Sequence, residues 1–174
     1  MRTWTVLLLC SALAAGCSRS KARAAEASFD GSKFVIATLQ TTMSEVDLAV
    51  MAARRGRLPE TRQLGAIIHR QQGELQQALI AIAAKKRMGV PTATEPRKRA
   101  LKENLDILPG QVFDRAYALA MIQDFDALIA SFEKASRSDD KELATFARDN
   151  LPRLKQQRQF AAELLDRLGG SPFG

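Results

Sequence analysis

Four long segments of this chain carry apolar side chains at steps of three and four residues, the spacing that places them on one face of an α-helix. No segment keeps the alternation of a strand or combines β-branched residues with hairpin turns. The sequence therefore predicts an all-α protein. The predicted core stripes, helix by helix, are Ile36, Leu39, Met43, Val46, Val50 and Ala53; Leu64, Ile68, Gln71, Leu75, Leu79 and Ile82; Phe113, Tyr117, Met121, Phe125, Leu128 and Phe132; and Leu143, Phe146, Leu154, Ala161, Leu165 and Leu168.

Capping and breaking residues predict where these helices end. The first begins at Asp30 or Ser32 and ends at Gly56, the second runs from Pro59 to near Met88, the third from Gln111 to Ser136, and the fourth from Asp139-Asp140 to Gly169. A short helix over 96–102, capped by Thr94, is predicted inside the connection 91–109. Pro152 predicts a kink or a local break in the fourth long helix.

Four amphipathic helices of similar length bury their apolar faces best against one another, which predicts a four-helix bundle over residues 29–170. Short links predict that helices one and two, and helices three and four, form antiparallel pairs. The longer connection 91–109, between helices two and three, is predicted to cross over along the length of the bundle. A domain of this size buries enough surface to fold without disulfides.

Residues 1–16 have the features of a secretion signal. Arg2 precedes an apolar run that is shorter than the roughly 20 residues of a transmembrane helix. Small residues then lead to Cys17, as in bacterial lipoprotein signals, where lipid joins the cysteine and the chain is cut before it. The alternative is an ordinary secretion signal with an incidental cysteine.

Lipidation of Cys17 with fatty chains such as palmitate would leave no free cysteine, because Cys10 lies in the discarded segment. Several acyl chains together anchor a protein stably to a membrane. Ser18, rather than an Asp, follows the cysteine and favours the outer membrane, with the protein facing the periplasm. Residues 17–28 are predicted to be a flexible tether, whose basic side chains rest on anionic headgroups or simply keep the segment soluble.

The sequence holds few residues of the types used in catalysis. It has one histidine, no glycine-rich phosphate loop and no nucleophile motif, which predicts a protein without enzymatic activity. A carboxylate-bridged metal site in a bundle uses Glu-x-x-His pairs, and none occurs. A metal ion is the one cofactor left open, with His69, Glu45 and Asp124 as candidate ligands and Asp47 and Asp126 as further carboxylates. His69 lies off the apolar stripe, so a solvated histidine is the favoured interpretation.

A basic segment supplies a candidate surface for anions. The net charge is +7, and loss of Arg2 with the signal leaves +6. Seven cations are predicted to lie at one end of the bundle, where charges are usually solvated; the alternative is that they bind anionic lipid, lipopolysaccharide or another envelope polyanion. These are Lys85, Lys86, Arg87, Arg97, Lys98, Arg99 and Lys102. The export signal and the lack of interleaved aromatics argue against a nucleic-acid partner.

Several stretches resemble a bacterial family of unknown function, domain of unknown function 4142. They are Glu45-Val46-Asp47-Leu48-Ala49, Phe113-Asp114-Arg115-Ala116-Tyr117 and Leu151-Pro152-Arg153-Leu154. The resemblance covers roughly residues 30–168 and implies an exported, ferritin-like helical bundle. The family typically places a histidine in the second, third and fourth helices. His69 fits the first of these positions, whereas Asp124 and Gln157 stand at the other two.

Together these observations predict a lipid-anchored periplasmic bundle with a non-enzymatic binding or structural role. The alternative is a metal-binding ferritin-like protein that uses His69 and nearby carboxylates. The predicted partners are the membrane, through the N-terminal lipid, and an anionic envelope component or a protein. The sequence does not determine the oligomeric state.

Overall fold

The computed structural model describes residues 29–169, which form five α-helices joined by short links. The helices are α1 (Gly31–Arg55), α2 (Pro59–Lys85), α3 (Pro96–Asp106), α4 (Gly110–Ala135) and α5 (Lys141–Arg167). The predicted signal 1–16 and the tether 17–28, with Cys17, lie outside the described residues, as does Gly170.

The four long helices form two antiparallel pairs, α1 with α2 and α4 with α5, and the pairs pack together through α1 with α4 and α2 with α5. The short helix α3 packs against α1 and α4, and it carries the chain from the end of α2 back to the start of α4. The predicted all-α four-helix bundle with one long crossover is therefore confirmed, and a single crossover is the ferritin-like arrangement.

The two ends of the bundle differ in which helix termini they bring together. At the tether end, α1 and α5 begin and α2 and α4 end, and a Cβ on Gly31 would lie 2.9 Å from Leu143 Cδ1. At the far end, the Asp114 carboxylate accepts hydrogen bonds from the backbone N–H groups of Arg57 (2.9 Å) and Leu58 (2.8 Å). A residue at the start of α4 thereby fixes the link between α1 and α2.

Three of the four predicted core stripes are confirmed. Every predicted stripe residue of α4 and α5 is buried, and so are four of the six in α2. The predicted face of α1 is wrong: Leu39 is buried, but Ile36 is exposed. The face of α1 that meets the core is polar in part, because it carries Thr38, Thr42 and Glu45 beside its apolar residues.

The predicted helix ends are confirmed where a side chain caps them. Asp30 accepts from the N–H of Lys33, and Asp140 accepts from the N–H of Leu143. Thr94 is not the cap of α3, whose N-cap is Glu95 without a side-chain hydrogen bond. Of the kink or local break predicted at Pro152, the break is wrong, since α5 continues through it as one helix with Pro152 exposed.

None of the helices between residues 29 and 169 is both long enough and apolar enough to cross a bilayer.

Candidate functional site

The least expected feature of the core is a buried carboxyl group in the middle of α1. Glu45 is fully buried, because Thr38, Thr42, Glu45 and Ala49 follow one another at helical spacing on the face that meets the other helices. Neither carboxyl oxygen of Glu45 accepts a hydrogen bond from the described residues. Such a group is costly to bury, since water would otherwise solvate both oxygens.

Two more polar groups come from α4. Tyr117 and Asp124 are two turns apart on its buried face, and the Tyr117 hydroxyl has no hydrogen-bond partner in the described part of the chain. One oxygen of Asp124 accepts a hydrogen bond from the ammonium of Lys98, which α3 supplies across the outside of the core. The other oxygen, Oδ2, is buried and accepts none. The polar layer thus combines two carboxyl groups, a phenol and one cation.

The electrostatics of this layer favour a neutral Glu45. Burial raises the pKa of Glu45 well above its ordinary value, the nearby Asp124 raises it further, and Lys98 opposes both. Burial also raises the pKa of Asp124, although the Lys98 ammonium and the charge of Arg97 act against it. Burial and the negative charge of Glu45 raise the pKa of the Tyr117 hydroxyl. One cation therefore lies near two acidic groups, and the more deeply buried one is the harder to ionise.

The other pair of long helices contributes a glutamine network. Gln157 on α5 accepts a hydrogen bond from Gln72 Nε2 at 2.9 Å and donates one to Gln71 Oε1 at 2.7 Å. Gln72 and Gln157 lie near the middle of α2 and α5, as Glu45 and Asp124 do in their helices. An amide can donate and accept at once, so this network joins α2 to α5 without a charge.

The three candidate metal ligands do not meet. Glu45 lies close enough to Asp124 for the charge of Asp124 to raise its pKa, whereas His69 is exposed on α2. No group of three His, Cys, Asp or Glu side chains over residues 29–169 has an arrangement that could hold a metal ion. The further carboxylates lie at the surface, where Asp47 pairs with Lys102 and Asp126 with Arg158.

The seven candidate polyanion-binding residues do not share one end of the bundle, so that expectation is wrong. Because α3 runs along α1 and α4, Lys98 and Lys102 face carboxylates near the middle of the bundle. Lys85 and Lys86 lie at the tether end, bound to Glu142 and Asp140 at 2.8 Å. The remaining members are exposed on α3 or in the link that precedes it: Arg87, Arg97 and Arg99.

Three depressions lie on the surface of the described residues. One of about 370 Å³ lies between α1 and α3 and is lined in part by Ser44, Asp47 and Lys98. Another of about 170 Å³ lies between α2 and α5. The third, of about 870 Å³, lies at the tether end. Glu45 lines none of the three.

Sequence reasoning missed two members of the polar layer. Tyr117 was predicted as an ordinary core residue, and Lys98 as part of a surface for anions. The signal for Glu45 was present in the sequence, since Thr38, Thr42 and Glu45 share one helical face with Leu48 and Ala49. Nothing local marks Lys98, because its contact depends on where α3 lies in the fold.

The fold and its interior define a class: a ferritin-like four-helix bundle with a central polar layer, in which a lysine of the crossover helix pairs with a buried aspartate. The sequence pattern described as Domain of unknown function (DUF4142) matches residues 17–164, and the chain belongs to that family. No curated protein and no solved structure matches the chain.

Proposed function

We propose that this protein is a lipid-anchored helical bundle of the bacterial outer membrane that faces the periplasm and has a non-enzymatic binding or structural role. The N-terminal signal and Cys17 support the anchor. The closed polar layer supports the role, because Glu45 and Tyr117 are fully buried and Lys98 lies over Asp124. Because Glu45 is buried and lines none of the three surface depressions, the outer surface is what the protein offers to a partner.

The anchor is tested by substitution of the two cysteines. In cells fed labelled fatty acid, Cys17→Ser should abolish the label and release the protein from the membrane fraction. Cys10→Ser is the matched control and should keep both, because residue 10 lies in the discarded segment. Labelling of the Cys17→Ser protein would overturn the proposed anchor.

Metal binding is the second candidate function, and the unpaired oxygens of Glu45 and Asp124 favour it. Carboxylate oxygens and a phenol are suitable ligands for a hard or borderline metal ion. The Lys98 ammonium argues against it, because it is a cation already bound to Asp124. As they stand, the residues of this layer do not fit a resident metal ion unless Lys98 moves away.

Metal analysis decides between the two candidates. The purified mature protein is loaded with Fe²⁺, Mn²⁺ or Zn²⁺, dialysed and analysed for bound metal. Stoichiometric metal that is lost in Glu45→Gln and retained in His69→Ala would establish the site at the buried carboxyl groups. Absence of bound metal in the wild type and in a Lys98→Met variant would eliminate this candidate.

A further inference from the structure

The tether end of the bundle is where the chain joins the segment that leads to Cys17. Phe29, the first described residue, lines the 870 Å³ depression at this end together with Met88. Only residues 18–28 separate this end from the proposed lipid. If Cys17 carries the anchor, as proposed above, the tether end is the part of the bundle held closest to the membrane.

The carboxylates of this end are largely engaged within the protein. Asp30 accepts from the N–H of Lys33, and Asp140 accepts from the N–H of Leu143 and from Lys86 Nζ. Glu142 pairs with Lys85. Among these carboxylates of the tether end, Asp139 is exposed and has no partner within residues 29–169.

Three cations of the same end have no carboxylate partner among the described residues. They are Arg87 after α2, Lys134 in the last turn of α4 and Lys141 at the start of α5, and all three side chains are exposed. Because they come from three different elements, they form a surface only in the folded bundle. Arg137, beside them, also lines the depression.

Two of these cations occupy positions at which another type of residue would make the helix end more stable. Arg87 has a φ of +55°, the left-handed conformation that glycine adopts at a helix C-terminus without strain. Lys141 is the first residue of α5, where the positive end of the helix dipole disfavours a cation. Lys134 alone has a local explanation, since a cation near a helix C-terminus is favourable. Helix stability therefore does not account for the positive charge of this surface.

The shape of the tether end suits lipid headgroups. The depression is lined by Lys134, Arg137, Ser32 and Ser138, which can donate hydrogen bonds to phosphate, and by the apolar Phe29 and Met88. Three aspartates line it as well, and two of them, Asp30 and Asp140, cap helices. Val90 is 41% exposed just beyond α2.

We propose that the tether end binds the anionic surface of the membrane that carries the lipid anchor, so that the bundle stands end-on with its far end toward the periplasm. The contact is made by Arg87, Lys134, Lys141 and the depression beside them. It adds a second, electrostatic attachment to the acyl anchor, the combination by which a short lipid signal and a basic surface act together.

Vesicle binding tests the charge contact without the lipid. The full mature chain carrying Cys17→Ser is mixed with vesicles of phosphatidylglycerol and phosphatidylethanolamine and sedimented. Each basic residue at an anionic surface contributes about fivefold in affinity, so Arg87→Gln/Lys134→Gln/Lys141→Gln should weaken binding about 100-fold. The matched control, Arg97→Gln/Arg99→Gln/Lys102→Gln, removes three charges from the side of the bundle and should bind nearly as well as the parent. Equal losses in the two triple variants would overturn the proposal.

A single substitution separates binding from folding. Arg87→Gly removes a charge and relieves the left-handed backbone, so it should raise the melting temperature while it weakens vesicle binding. Unchanged binding by this variant would count against the proposal.

The lipidated protein reports the orientation. Ser32→Cys at the tether end should react more slowly with a water-soluble maleimide on anionic vesicles than on phosphatidylcholine vesicles, whereas Gln111→Cys at the far end should not change. Equal rates for Ser32→Cys on the two vesicles would exclude the end-on contact. If the protein prepared for this experiment carries no lipid, while the Cys17→Ser chain still binds anionic vesicles, the lipid anchor is refuted. The electrostatic contact of the tether end is then still supported.

Discussion

Among residues 29–169, the ammonium of Lys98 is the one positive charge hydrogen-bonded to the polar layer, and its contacts show how a buried carboxylate is tolerated. The side chain of Asp124 is 11% exposed and that of Lys98 is 19% exposed, so this pair is largely withdrawn from water. Breaking a buried pair by removing one partner is costly, whereas replacing both partners by apolar groups is often neutral.

Removal of Lys98 should therefore leave an uncompensated negative charge. We expect Lys98→Met to lower the free energy of unfolding by about 3–5 kcal/mol in urea denaturation. The double variant Lys98→Met/Asp124→Leu should recover most of that loss. Lys102→Met, which breaks the exposed pair with Asp47, is the control and should cost less than about 1 kcal/mol. A double variant no more stable than Lys98→Met would show that the pair does not act as described.

At the scale of single residues, the sequence predicted the acidic members of the candidate site but not its counter-ion. Glu45 and Asp124 are candidates because carboxyl groups bind metals, and in the core the charge of Asp124 raises the pKa of Glu45. Lys98 is 26 residues from Asp124, and its contact is set by the path of α3 rather than by any spacing along a helix. His69 is exposed because it projects from α2 away from the core.

At the scale of the helices, one kind of sequence signal predicts where a helix begins or ends, and another predicts which of its faces is buried. Helix ends were predictable because a capping side chain acts within four residues, as Asp30 and Asp140 do. The face of α1 was not predictable from its apolar residues, because threonines and Glu45 occupy core positions on it. Pro152 removes one backbone N–H from α5, and the neighbouring turns hold the helix together.

Helices α1 and α2 approach each other closely at Gly65, which has no side chain. A Cβ on Gly65 would lie 2.7 Å from the carbonyl oxygen of Ala49 and 2.7 Å from the backbone nitrogen of Ala53. Both atoms belong to the backbone of α1 and cannot turn aside. The link between these helices is short, so α2 cannot easily move away.

The two glycines within α2 should consequently respond in opposite directions to the same substitution. Gly65→Ala forces the two backbones apart and should lower the free energy of unfolding by at least about 1–3 kcal/mol. Gly73→Ala meets no atom within 4 Å and should raise it by about 0.5–1 kcal/mol, because alanine is the better helix former. Thermal and urea denaturation of both variants measure the difference, and a stabilised Gly65→Ala protein would contradict the close packing.

In the molecule as a whole, burial makes the interior carboxyl groups harder to ionise, whereas neighbouring cations make several surface carboxyl groups easier to ionise. Inside, Glu45 and Asp124 have raised pKa values because burial disfavours their charged forms. Outside, the Lys155 ammonium lowers the pKa of Glu133, and Lys85 lowers that of Glu142. The sequence gives the number of acidic residues, but only the packing of the helices decides which group belongs to which set.

These opposite shifts predict an unusual pH dependence of stability. A carboxyl group with a raised pKa binds its proton more tightly in the folded chain, so its contribution falls as pH rises above the ordinary value of 4.5 toward the raised one. The surface carboxylates act in the opposite sense, and their contribution is lost as pH falls through their lowered pKa values. The free energy of unfolding should therefore be greatest near pH 4.5 and decline as pH rises toward the raised pKa of Glu45, whereas many proteins are most stable between roughly pH 5 and 8. Glu45→Gln should match the wild type near pH 4.5 and become the more stable of the two as pH rises above that value, with the slope that remains coming from Asp124. Urea denaturation across this range measures both proteins, and parallel curves would mean that Glu45 ionises as readily in the folded bundle as in the unfolded chain.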